Sequence, residues 1–86
     1  MSKAGYDGYR KDVAAAIRMR RQAAKMTQED LAYEADITAR HLHEIEKART
    51  NPTLRTLFKI ASALGVKVSA VIQDAEQLPK PTRKSQ

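Results

Sequence analysis

Between Thr27 and Lys47 the chain encodes two short helices separated by about three residues around Asp36. No other feature constrains the fold as strongly. Thr27 offers a side-chain oxygen suited to an N-cap, and Asp30, three residues on, completes a capping-box pattern. Glu29 and Asp30 also suit the positive end of a helix dipole. Leu31, Ala32 and Ala35 form the inner face of this helix, which ends near Ala35 or Asp36. Thr38 caps the next helix, which runs to about Lys47 with Leu42, Ile45 and Glu46 turned inward.

The flanking sequence continues the helical spacing, from Tyr9 to about Ile72, with little strict alternation. A first helix is expected from Tyr9 to Ala24. Val13, Ile17, Arg20 or Arg21, and Ala24 trace one face, so an arginine interrupts it as Glu46 interrupts the third helix's, and Arg18, Arg20 and Arg21 give the helix a basic side. Pro52 stops any continuation from the loop after Lys47. Thr53 caps a fourth helix with Leu54, Leu57, Ile60, Ala61 and Leu64 at helical spacing, and Gly65 ends it. Ser69 is expected to cap a short fifth helix carrying Val71 and Ile72. The result is an all-α, compact five-helix domain over residues 9–77. A flexible arm, residues 1–8, precedes it, and a disordered basic tail, residues 78–86, follows. Tyr6 and Tyr9 would pack the arm onto the core or onto a second subunit.

An 86-residue chain allows one small domain with a marginal core. It has no cysteine, hence no disulfide framework and no zinc site built on thiolates, which fits a reducing cytoplasm. No apolar run approaches the ~20 residues needed to span a membrane. The first residues lack the apolar core of a signal peptide. The net charge of +6 and pI of 9.9 suit a polyanion, nucleic acid being the commonest in a cytoplasm, and equally suit a merely basic protein. Aromatic residues make up 5%, too few for stacking single-stranded bases. There is no nucleophile–base pair, no phosphate-binding glycine loop and no pair of carboxylates at a plausible pocket, so an enzyme is not indicated, nor is a cofactor. Glu44 and Glu46 are two apart on a helix and face different ways.

His41 and His43 invite a metal reading, but ligands on one helix should lie three or four residues apart. Two residues apart, they diverge by about 200° around the axis. The bland alternative is a partly exposed histidine on each flank of Leu42. The third helix starts oddly, with Ala39, Arg40 and His41 in its first turn. A cation there is unfavourable by a few tenths to ~1 kcal/mol. Local rules are broken most often at functional sites. An exposed arginine beside free N–H groups is what a phosphate or a base edge would meet, and arginine is the commonest reader of guanine.

The run "MTQEDLAYEADITARHLHEIEKARTNPTLRTLFKIASALGV" resembles the helix-turn-helix domain of phage lambda-type repressors, Cro proteins and the bacterial Xre regulators. The likeness covers about residues 13–73. It rests on "TQEDLA" opening the second helix, Ile45–Glu46 ending the third, the "NPTLRTLFKIASALGV" that follows, and the upstream arginine. The resemblance implies a homodimer on double-stranded DNA at a palindromic operator, its half-sites roughly one helical turn apart. It implies base contacts from Thr38, Ala39, Arg40, His43 and Glu44. Phosphate contacts would come from Gln28, Arg49, Thr50 and Asn51, and Arg21 and Glu46 would tie the first helix to the third. The dimer contact would involve Val66, Val68, Ile72 or Leu78. A rival reading from another class is a protein-interaction module or antitoxin-like partner-binding protein.

The family often has glycine where helices 1, 2 and 3 end, and this chain has Lys25, Asp36 and Ala48. Either these turns carry strain of ~1 kcal/mol each or the helices end differently. For Ala48 a slightly longer third helix is expected.

Overall fold

The computed structural model describes residues 3–79, with side chains from Gly5 onward. It contains α1 (Lys3–Ala23), α2 (Gln28–Ala35), α3 (Ala39–Glu46), α4 (Leu54–Leu64) and α5 (Val68–Gln77), with no strand among the described residues. Ile17, Leu31, Leu42, Ile45, Ile60 and Val71 are its largest fully buried side chains, so every helix contributes at least one. Helix α1 packs chiefly on α5, and α2 on α4 and α3. No single described helix is long and apolar enough to cross a membrane.

Three helices begin at a threonine. The hydroxyls of Thr27, Thr38 and Thr53 accept from the backbone N–H groups of Asp30, His41 and Thr56 at 3.0, 2.9 and 3.0 Å. Thr27 and Asp30 close a full capping box, Asp30 accepting the Thr27 N–H at 3.0 Å. The Thr27 backbone N–H first, and the Thr27 side chain second, hold the Asp30 carboxyl below its ordinary value.

Helices α1 to α4 end in one motif. After each, a residue at positive φ is followed by a residue whose N–H reaches back to the carbonyl five residues earlier. These bonds are Met26 to Arg21, Ile37 to Ala32, Arg49 to Glu44 and Val66 to Ala61, at 2.9–3.1 Å. Only the last turn has glycine, at φ 75°; Lys25, Asp36 and Ala48 hold φ of 58°, 59° and 59°. Met26, Ile37 and Val66 pack against the core directly after the turn, the apolar contact that accompanies such caps.

Three expectations need correction. The third helix does not run through Ala48. It stops at Glu46, and Ala48 takes the left-handed conformation. There the residue after the turn is Arg49, exposed and paired with Glu44 at 3.4 Å, so this turn lacks the apolar contact of the other three. Ser69 does not cap the fifth helix. The helix is already under way at Val68, after Lys67, with no side-chain cap bond. Gly65 reverses the chain so tightly that Val66 and Val68 both reach the core. Finally, helix α1 does not wait for Tyr9 but begins at Lys3. Gly5 and Gly8 weaken a helix without forbidding one. Tyr6, Tyr9 and Val13 fall at helical spacing and together line a groove with Leu57 and Ile72. Tyr9 also donates to Glu76 of α5 at 2.8 Å, which raises its own pKa. Of the expected basic tail, Lys80–Gln86 lies outside the described residues.

Candidate nucleic-acid interface

The orientation of α3 is fixed from behind by one buried charge. Glu46 is 3% exposed, and Leu42 and Ile45 beside it are fully covered. Its carboxylate takes a two-point grip from Arg21, Nε to Oε2 at 2.8 Å and Nη2 to Oε1 at 2.9 Å. Arg21 Nη1 also donates to the Met26 carbonyl at 2.9 Å. The hydrogen bond to Glu46 is the main reason that the Arg21 pKa is raised. Gln28, first residue of α2, donates to Glu46 Oε1 at 2.9 Å. The pair therefore joins α1, α2 and α3, with its charges matched by direct hydrogen bonds.

The same network reaches the surface. Because Gln28 Nε2 faces the acceptor-only Glu46 carboxylate, Gln28 Oε1 faces His43, whose Nδ1 lies 3.3 Å away. An acceptor at that distance fixes the proton on Nδ1 and leaves Nε2 for an outside partner. Sequence reasoning missed this link. Its signal is present only as two side chains fifteen residues apart, and nothing in local spacing connects them. The metal reading of the histidines gains no support in the geometry: no group of three or more potential ligands converges among the described residues.

The outer face of α3 is open. Thr38 and Arg40 are exposed, Glu44 is half-buried, and Ala39, also half-buried, packs against the core. Arg40 has no ion-pair partner among the described residues. Thr38 is committed as an N-cap but keeps its hydroxyl hydrogen to donate. Glu44 is partly engaged, since Arg49 sits 3.4 Å from its Oε2. Thr50 and Asn51 continue the same loop. Asn51 is exposed, and together with Pro52 it lines the groove that holds Tyr6 and Tyr9. The chain thus brings together an exposed helix start, a basic loop after that helix, and a glutamine at the start of α2. Such a surface offers donors to phosphate oxygens and one planar cation to a base edge.

Comparison with known proteins gives a consistent result. A helix-turn-helix family profile matches residues 17–71. The immunity repressor protein of Bacillus phage phi105 is 42% identical over 60 residues, spanning 70% of this chain and 42% of that protein. The chain thus covers less than half the length of that repressor. An uncharacterized HTH-type transcriptional regulator of Sinorhizobium fredii is 33% identical over 66 residues, spanning 77% of this chain and 84% of its own. Among solved structures, the clp gene regulator ClgR of Corynebacterium glutamicum superposes with a TM-score of 0.76 at 28% identity, over 79% of this chain and 72% of that one. A mutant of the restriction–modification controller protein C.Esp1396I gives 0.75 at 28% identity, over 80% and 90%.

Proposed function

Because this chain belongs to the Xre/lambda repressor-like helix-turn-helix family of DNA-binding transcriptional regulators and not to an enzyme family, we propose that it binds a palindromic operator sequence-specifically as a homodimer. The observation that carries this reading is the exposed position of Arg40. The arginine stands exposed in the first turn of a helix whose opposite side is locked by the buried Arg21–Glu46 pair. Thr38, Ala39, Arg40, His43 and Glu44 meet base edges in the major groove. Arg40 is suited to guanine O6 and N7, and the Ala39 methyl to a thymine methyl. Gln28, Arg49, Thr50 and Asn51 meet phosphates and set the register. DNA as ligand supports a cytoplasmic location, on the nucleoid when bound.

Dimerisation needs an apolar face, and the candidates differ in exposure. Val66, Val68 and Ile72 are already packed on the core. Leu54 and Phe58, one turn apart on α4, are 75% and 63% exposed. In this reading the second copy covers α4 as well as α5. The same apolar pair is what a heterologous protein partner would bind, and it keeps the partner-binding alternative alive. Selection of bound sequences from a random duplex library, followed by sizing of the complex, tests the proposal. A palindromic consensus bound by two copies is expected. Recovery of unselected sequences, or one copy per duplex, would overturn it.

A further inference from the structure

The three arginines that give α1 its basic side separate in space. Arg20 is held by Asp74 of α5 and Arg21 by Glu46. Arg18 turns instead into a furrow between α1 and α3. There its Nη1 donates to the Glu46 backbone carbonyl at 3.0 Å. Arg18, Glu46 and Lys47 line both of two adjoining clefts, of about 320 and 310 Å³. One cleft continues to Gln28 and His43, the other to Lys11 and Ala48. The furrow therefore connects the two places already assigned to phosphates: Gln28 at one end, and the loop that follows Ala48 at the other.

Its charge is one-sided. Among the described residues Glu46 is the only carboxylate lining it, and that carboxylate is committed to Arg21 and Gln28. Lys11 and Lys47 are exposed and have no ion-pair partner among the described residues, and Arg18 keeps donors beyond the one it gives to the carbonyl. Lys11 and Arg18 are seven residues apart on one helix, about 10 Å along its axis. Phosphates on one strand of a duplex advance about 3.4 Å each along the duplex axis and lie about twice that far apart along the strand itself, so the track reaches two or three of them.

We propose that this furrow seats a stretch of phosphodiester backbone, with Lys11, Arg18 and Lys47 as phosphate contacts separate from the base-reading face. The proposal rests on the DNA-binding reading above and adds to it a contact that carries no sequence preference.

The test replaces Lys11, Arg18 and Lys47 by glutamine, singly and together. Affinity is measured for a selected operator and for a random duplex across a salt series. Both affinities should fall together, with their ratio unchanged. The slope of log affinity against log salt should become shallower by about 0.9 for each phosphate that is no longer neutralised, nearly 3 for the triple variant. Arg18→Lys should keep the slope. The double variant Lys11→Gln/Lys47→Gln touches only exposed side chains, so it carries the test if removal of the Arg18 bond harms folding. An unchanged slope in the double and triple variants, with a wild type that still prefers its operator, defeats the furrow alone. Weakening confined to the operator also defeats it, because the residues would then read bases. A wild type that binds an acidic protein and shows no DNA affinity would defeat the DNA reading itself.

Discussion

Arg21 and Glu46, twenty-five residues apart, meet through two parallel hydrogen bonds of 2.8 and 2.9 Å, with their side chains only 13% and 2% exposed. Neither charge can be removed without stranding the other. Glu46→Ala leaves Arg21 in a site with too little water to solvate it, and releases Gln28 as well. Breaking one partner of a buried pair costs about 3–5 kcal/mol. For a domain of this size each kcal/mol shifts the midpoint by about 4–8 °C. The melting temperature should therefore drop by at least ~12 °C, or the variant should not fold. An unchanged melting curve by circular dichroism would show that the pair is ornamental.

Arg40 separates base reading from mere attraction. Arg40→Ala should cost about 1–3 kcal/mol on the operator and relax preference at one base position in each half-site. Stability should hardly change, because the side chain is exposed and unpaired among the described residues. Binding to operator and random duplexes is compared at one fixed salt concentration. Equal weakening on both would assign Arg40 to phosphate and leave specificity to its neighbours.

Much of this surface was legible from residues alone, for a physical reason: caps are local. Thr27, Thr38 and Thr53 mark their helices because each hydroxyl serves an amide three residues away. Arg21 and Glu46 stood out because each interrupts an apolar face. What escaped was set by distant packing. The groove that Tyr6 and Tyr9 line accompanies a helix α1 that reaches back to Lys3 through two glycines, and its far walls include Leu57 and Ile72, distant in sequence. The Gln28–His43 contact depends on how α2 crosses α3, and the furrow beside Arg18 depends on how α1 crosses α3.

Asp30 gives the domain an acid-side signature. Its folded-state pKa lies below its ordinary value, first because it accepts the Thr27 backbone N–H and then because of its bond with the Thr27 side chain. A depressed carboxyl binds fewer protons folded than unfolded, so its contribution is complete above the ordinary value near 3.8. The contribution disappears as pH falls from there through the lowered folded value. Denaturant titrations of wild type and Asp30→Asn at about pH 7 and across roughly pH 2–4 check this. The difference between them should shrink as pH falls, and a difference that grows on acidification would reverse the sign of the argument.

Ala48 holds the least favourable of the three non-glycine turns, since alanine has neither the polar side chain that helps Asp36 in the left-handed region nor a core residue directly after it. The bonds that keep it there are Ala48 N–H to the Ile45 carbonyl at 3.0 Å and Arg49 N–H to the Glu44 carbonyl at 2.9 Å. The Arg49–Glu44 ion pair adds little, because Arg49 is 60% exposed. Ala48→Gly removes the steric cost of the left-handed backbone, about 1–2 kcal/mol, and gives back about 0.5–1 kcal/mol in unfolded-state entropy. The net expectation is a gain of about 0–1.5 kcal/mol, read as a rise in melting temperature of up to roughly 10 °C. The phosphate contacts proposed for Arg49, Thr50 and Asn51 depend on this turn, so glycine should leave operator affinity intact while it stabilises the fold. A lower melting temperature would mean that the turn is held by more than its hydrogen bonds.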